Sequence, residues 1–149
     1  KVQKIIIVLG YEHKKIKKII LKSKKISFTV NKNYKDGISS SIKVGLKKVK
    51  NKNEGFIIAQ SDMPFIKSLH INKIYKSLLK KEDLVHVLKY KNISGNPIGF
   101  DISVLSKFKK IKGNIGAKYM IKKLAKNTKF INVTTKKIFK DFDFKKDFN

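Results

Sequence analysis

The unbroken run of branched apolar side chains from Ile5 to Leu9, ending at Gly10, constrains this chain more than any other feature. A short run of that kind, closed by a glycine, reads as a strand buried on both faces of a parallel sheet. Residues Tyr11 to Lys22 then place Ile16, Ile19 and Ile20 at helical spacing, which predicts a helix covering that sheet. The alternation continues. Ile26 to Val30 reads as a second strand, Asn31 to Gly37 as a polar loop, and Ile38 to Val49 as a helix with Ile42, Leu46 and Val49 on one face. Gly55 to Gln60 reads as a buried strand, Leu69 to Leu79 as a helix, and Leu84 to Leu88 as a strand. Asn92 to Pro97 is rich in turn residues and reads as a loop, and Val104 to Phe108 as a short helix. Gly113 to Gly116 is expected to open a helix running to about Ala125, and Phe130 to Val133 to form a late strand. Strands that alternate with helices in this way give an α/β protein with a mainly parallel sheet. A length of 149 residues suits one compact domain with a core of its own.

The formal charge of +27 points first toward nucleic acid or an anionic membrane. Its make-up argues otherwise. All 37 residues counted as Lys or Arg are lysine, and they are spread along the whole chain. Dedicated nucleic-acid readers favour arginine, whose planar fork grips guanine and phosphate at two points. The lysines therefore read as a solvated surface imposed by AT-rich coding bias, and nucleic acid is disfavoured as a partner. Their field can still draw in an anionic substrate. No apolar run approaches the roughly 20 residues that span a bilayer, and the opening residues Lys1 to Lys4 carry no signal-peptide pattern. No membrane association and a cytoplasmic location are expected. The absence of cysteine excludes disulfides, thiolate zinc sites and cysteine nucleophiles.

Against that lysine excess the chain keeps only 10 acidic residues, so their positions carry weight. Asp62 directly follows a strand and stands two residues before Pro64. In open α/β sheets, ligands collect at the carboxyl ends of strands. A carboxylate there suits Mg²⁺, which takes one or two carboxylates together with phosphate oxygens and water. Capping of the turn explains Asp62 equally well. Asp141 and Asp143 alternate, and in an extended segment both would point the same way; taken alone they read as a solvated acidic tail. Gly37-Ile38-Ser39-Ser40-Ser41 enters a helix, where free amides suit a phosphate, although ordinary serine capping explains it better by itself. Gly113 to Gly116 has the same two readings. Neither segment fits the GxxxxGK[ST] or GxGxxG phosphate loops. His13, His70 and His86 are not spaced as a metal cluster and read as structural, and there is no GxSxG nucleophile elbow.

Taken in order, these segments resemble the MobA-like nucleotidyltransferases, in particular the molybdenum cofactor cytidylyltransferase branch. The match runs through NKNYKDGISSSIKVGL at Asn31 to Leu46, AQSDMPFI at Ala59 to Ile66, SGNPIGF at Ser94 to Phe100 and GNIGAK at Gly113 to Lys118. The tail DFDFKKDF, Asp141 to Phe148, is similar to the family's closing DxD stretch. The resemblance implies a three-layer α/β/α fold of the nucleotide-diphospho-sugar transferase type. It also implies transfer of CMP from CTP, or of another nucleotide from its NTP, to molybdopterin or the molybdenum cofactor, with release of pyrophosphate and a need for Mg²⁺. A molybdenum hydroxylase is the candidate recipient of the product. Carried over by position, Asp62 and Asp143 would be the catalytic metal ligands. Gly37, Ile38, Ser39, Ser40 and Ser41 would lie against the nucleotide. Gly95, Asn96, Pro97, Gly113, Asn114, Gly116 and Lys118 would shape the pterin side.

The chain departs from the family pattern at Asn114, where aspartate is usual, at Lys118, where arginine is usual, and at Phe144, where threonine is usual. It also begins at what looks like the family's second strand. The preceding strand and its glycine-rich LAAGxSxRMG loop are expected to be missing, which implies poor catalysis or none for this stretch alone. A guanylyl- or sugar-nucleotidyltransferase of the same fold, a basic nucleic-acid-binding module without catalysis, and an accessory protein that binds the cofactor without transfer are the competing readings.

Overall fold

Two short runs of branched residues, Ile5–Leu9 (β1) and Ile26–Val30 (β2), pair in parallel from Ile5 with Ile26 to Leu9 with Val30. Parallel neighbours need a crossover connection, and here it contains the helix His13–Ile19 (α1). The computed structural model describes residues 2–50 and 52–143, so the tail from Phe144 onward, with its Phe144 departure and the end of the DxD-like stretch, lies outside the described residues. By its internal contacts the chain divides into two compact units. One is Lys1–Asn53 with Val104–Gly116, and the other is Glu54–Ser103 with Ala117–Asn149.

In the first unit, a 3-10 turn at Tyr34–Asp36 leads into the helix Ile38–Leu46 (α2), which buries Ser39 and Ile42. This helix packs on β1, where Leu9 is buried. α1 is shorter than its apolar spacing predicts and does not cover the sheet as expected. None of its residues is buried, and Ile16 and Ile19 are 37% and 81% exposed. Seven residues make barely two turns, and with five of them lysine or histidine the apolar stripe is too narrow to bury.

The second unit contains the strands Gly55–Ile58 (β3), Val85–Tyr90 (β4), Ile93–Asp101 (β5) and Thr128–Asn132 (β6), in the spatial order β3-β5-β4-β6. The helix Ser68–Leu78 (α3) packs on this sheet, and the helix Tyr119–Lys123 (α4) lies against β4. Ile74 of α3, Leu88 of β4 and Ile138 form a buried cluster with Leu78, Ile131 and Phe139 around it. Phe56 and Phe100 stack across β3 and β5 at 5.4 Å.

The α/β class stands, with mixed pairing inside it. β1 with β2 and β4 with β6 are parallel, whereas β5 runs antiparallel to both β3 and β4. Only Lys91 and Asn92 separate β4 from β5, a two-residue turn with Lys91 in the left-handed region, and so short a turn forces a hairpin. The segment expected as a loop, Asn92 to Pro97, is therefore mostly strand. Its turn residues are absorbed by a register shift: Val87 pairs with Ile98 and Leu88 with Gly95, leaving Asn96 and Pro97 bulged out of the ladder. A proline without an N–H is tolerated in a central strand at such a bulge. The helix expected from Gly113 begins only at Tyr119.

Candidate functional site

β3 ends at Ile58, which pairs with Ile98 of β5. That register sets the bulged Asn96 beside the loop leaving β3, and the Asn96 Nδ2 donates to Gln60 Oε1. Two residues further along the same loop stands Asp62, with Met63 buried next to it. The Asp62 carbonyl accepts the Phe142 amide at 2.8 Å. Phe142 also meets Phe65 edge-on at 5.7 Å, and Lys140 lies over its ring at 4.6 Å. The segment carrying Asp141 and Asp143 is thus tied to the Asp62 loop, with Asp143 exposed one residue beyond the tie.

Two oxygens stand out in this arrangement. Asp62 Oδ1 and Asn96 Oδ1 are both buried, and among the described residues neither has a hydrogen-bond partner. An acceptor left in that condition costs about 1–3 kcal/mol, more when it is charged. Asp62 Oδ1 therefore does not cap its own turn. A buried carboxylate oxygen free of donors fits a divalent cation, which takes one or two carboxylates and fills its remaining positions with phosphate oxygens and water. Among the described residues no three carboxylates or histidines gather as a ready-made metal cage. The donor set thus fits an ion shared with a phosphorylated substrate.

Gly95 and Pro97 flank Asn96 and are buried. A side chain added at Gly95 would meet no atom within 4 Å, so open space lies beside it. Lys118, in the same unit, is exposed at the start of α4.

The remaining predicted residues meet one another in the first unit. Gly37 adopts φ 91° and ψ 172°, a conformation essentially confined to glycine. A Cβ there would stand 2.4 Å from the Gly113 carbonyl and 2.6 Å from the Asn114 side-chain oxygen. The Gly113 carbonyl accepts the Ser39 amide at 3.1 Å, and Ser40 donates its amide to Gly37. Gly116 lies near Ile38, which is 41% exposed. Asn31, buried, donates its amide to the hydroxyls of Ser40 at 2.7 Å and Ser41 at 3.0 Å, and the Ser40 hydroxyl lies 2.9 Å from the Asn33 carbonyl. The serine-rich helix start is consequently closed by its own chain. The amides of Ser39 and Ser40 are taken, the Ser40 and Ser41 hydroxyls are bound to Asn31, and Ser39 is buried. Gly113 and Asn114 make their local contacts with Gly37 and Ser39.

The histidines serve the framework. His86, 1% exposed, takes the Ser77 hydroxyl on Nδ1 at 2.8 Å and donates from Nε2 to the Asp83 carbonyl at 3.0 Å. Burial lowers its pKa. His70 Nδ1 accepts the Lys67 amide at 2.9 Å at the start of α3. Its pKa is lowered by burial first, and then by Lys73 and Lys67.

Sequence reasoning missed Gln60 and the part played by Asn31. An exposed glutamine after a strand carries no signal by itself. Its position two residues ahead of Asp62 was the available clue.

The profile of the MobA-like NTP transferase domain matches residues 1–128. No curated protein sequence gives a significant match. Among solved structures, the chain is similar to Rv0371c from Mycobacterium tuberculosis H37Rv at 16% identity and a TM-score of 0.78, covering 97% of this chain and 73% of that one. The same protein solved in complex with manganese gives a TM-score of 0.70 at 16% identity over 87% and 68%. A 4-diphosphocytidyl-2C-methyl-D-erythritol synthase from Anaerococcus prevotii DSM 20548 gives 0.74 at 14% identity over 97% and 75%. At these identities the structures share the fold, a nucleotide-diphospho-sugar transferase-like one. With the domain profile spanning residues 1–128 of 149, the chain belongs to the MobA-like NTP transferase family.

Proposed function

We propose that this chain forms the substrate-binding frame of a cytidylyltransferase that moves CMP from CTP to a molybdopterin-type acceptor and releases pyrophosphate. The observation that carries the reading is the buried Asp62 Oδ1 in the loop after β3, which has no hydrogen-bond partner among the described residues. In this chemistry a terminal phosphate oxygen of the acceptor attacks the α-phosphorus in line. The bond from that phosphorus to the β-phosphate bridge breaks, and the protein chiefly positions phosphates and neutralises charge. Asp62, with Asp143 as its partner, would hold a Mg²⁺ or Mn²⁺ ion, which when bound supplies charge neutralisation at the phosphates. Asp62 anchors that position from the loop after β3, while Phe142 keeps the Asp143 segment against it. Gly37 to Ser41 is proposed to border the nucleotide as a rigid wall, its polar groups being engaged within the chain. Gly95, Asn96 and Pro97 border the acceptor, and surface lysines draw in the anionic substrates.

The manganese of the Rv0371c complex supports a divalent ion here. The likeness to a diphosphocytidyl-methylerythritol synthase keeps the cytidylyl donor and favours, as the second reading, a sugar-alcohol phosphate acceptor. The test, run on the full-length protein, is a thermal-shift panel of CTP, GTP, ATP and UTP with Mg²⁺, followed by pyrophosphate release with each acceptor. CTP alone should raise the melting temperature, and Asp62→Asn should cut pyrophosphate release at least ~100-fold, the scale of a lost preorganised electrostatic contact. Stabilisation by GTP and not CTP, or full activity in Asp62→Asn, sinks the assignment.

A further inference from the structure

We propose that the stretch Lys14 to Lys25 docks on an anionic lipid surface, lying among the headgroups without crossing the bilayer. Seven of its twelve residues are lysine, against 37 of 149 in the whole chain. Four of the other five are Ile16, Ile19, Ile20 and Leu21, and none is acidic. One of the lysines, Lys15, pairs with Glu12 just ahead of the stretch. Coding bias supplies lysine throughout and does not account for this local density, nor for where the apolar side chains sit. α1 buries none of its residues, and Ile19 and the following Leu21 are 81% and 86% exposed. Against β2 it is a lysine, Lys17, that lies over the Phe28 ring, at 5.6 Å. Scattered exposed apolar side chains are ordinary, but these stand inside a cluster of positive charge. The two features together select the partner. Anionic headgroups attract each lysine near them, and the boundary with the acyl chains accepts Ile19 and Leu21. Lysine stems are themselves apolar and bend so that the ammonium stays at the headgroups. A nucleic acid would use the charge and offer the aliphatic side chains nothing, and the stretch holds no arginine or aromatic residue to fork or stack on it. The missing spanning run excludes crossing a bilayer, not lying on one.

The experiment uses the full-length protein and three variants at exposed positions. Ile19→Ser with Leu21→Ser removes the apolar pair and keeps the charge. Lys18→Gln, Lys22→Gln and Lys24→Gln together remove charge from the stretch and keep the apolar pair. Lys122→Gln, Lys123→Gln and Lys126→Gln remove the same charge elsewhere. Melting temperature checks that each variant folds. Each protein is sedimented at physiological salt with vesicles of phosphatidylcholine alone and of phosphatidylcholine with phosphatidylglycerol. The parent is expected to partition onto the phosphatidylglycerol vesicles only. The serine pair and the first lysine triple should each weaken that partition by about tenfold or more. The second lysine triple should change it by less than about threefold, since charges away from the contact are screened. No partition of the parent, parental partition in the serine pair, or equal losses in the two lysine triples would overturn the proposal. So would binding to a DNA duplex that outcompetes the vesicles and is indifferent to the serine pair, which would make the stretch a nucleic-acid contact.

Discussion

Asp62 holds a carboxylate oxygen in a buried position with no hydrogen-bond partner among the described residues, and a fold keeps such a cost where a ligand offsets it. Two effects of removing the carboxylate should therefore separate. Asp62→Ala relieves the unpaired oxygen while it abolishes transfer. Its melting temperature in the absence of ligand is expected to equal that of the parent or exceed it by a few degrees, since about 1 kcal/mol corresponds to ~2–4 °C at this size. A fall of more than ~4 °C in scanning fluorimetry would make the carboxylate a structural cap. His86 works in the opposite sense, because its hydrogen bonds need the neutral ring. Burial places its folded pKa below the ordinary 6.5, and His70 is shifted the same way. Below pH 6.5 the unfolded chain binds protons that the folded one refuses. The stability these residues provide is thus complete above that pH and drains away as the pH falls toward the folded values. Melting curves from pH 7.5 to 5.5 should decline, with a shallower decline in His86→Gln. Equal slopes would show that His86 does not titrate with unfolding.

At the scale of elements, the closure of α2 can be dissected through two glycines. Gly37 combines a glycine-only backbone conformation with a neighbouring carbonyl 2.4 Å from its absent Cβ. Gly113, at φ 58°, faces open space. Gly113→Ala should cost only the left-handed penalty of about 1–2 kcal/mol. Gly37→Ala adds backbone overlap to a comparable strain and should cost at least ~3 kcal/mol. Urea denaturation of both variants ranks them, and equal losses would refute the contact between the two segments. The same elements mark what the sequence made legible. Ile26–Val30 is a strand with the bounds its composition predicts, and β1 matches its apolar run in extent but not in the burial expected of it, since only Leu9 is buried and Ile5 is exposed. Asn92 to Pro97 misleads, because Gly, Asn and Pro are turn formers wherever no partner strand overrides them, and here a bulge accommodates them inside β5. Gly113 to Gly116 misleads for the converse reason. Its glycine is used to reach Gly37 and does not start a helix. The Asp62 position was readable from the strand before it. The Gln60–Asn96 link was not, since it depends on the β3–β5 register, which joins segments 36 residues apart.

For the whole molecule, the positive charge of +27 is a field that gathers anions more than a source of cohesion. Exposed pairs such as Lys15–Glu12 and Lys81–Glu54 contribute at most about 1 kcal/mol each. Among the described residues no helix is long and apolar enough to cross a membrane. Cohesion rests on the two units, and neither is a continuous stretch of chain: the first is interrupted between Asn53 and Val104, and the second between Ser103 and Ala117. That interleaving has a consequence in time. During synthesis Ser39 leaves the ribosome roughly seventy residues before Gly113, whose carbonyl receives its amide, a delay on the order of 4 to 15 seconds. The helix that opens at Ile38 therefore holds its first turn at the outset through Asn31 and Gly37 alone, and its last tie, to Gly113, comes only after the whole segment from Glu54 to Ser103 has been made.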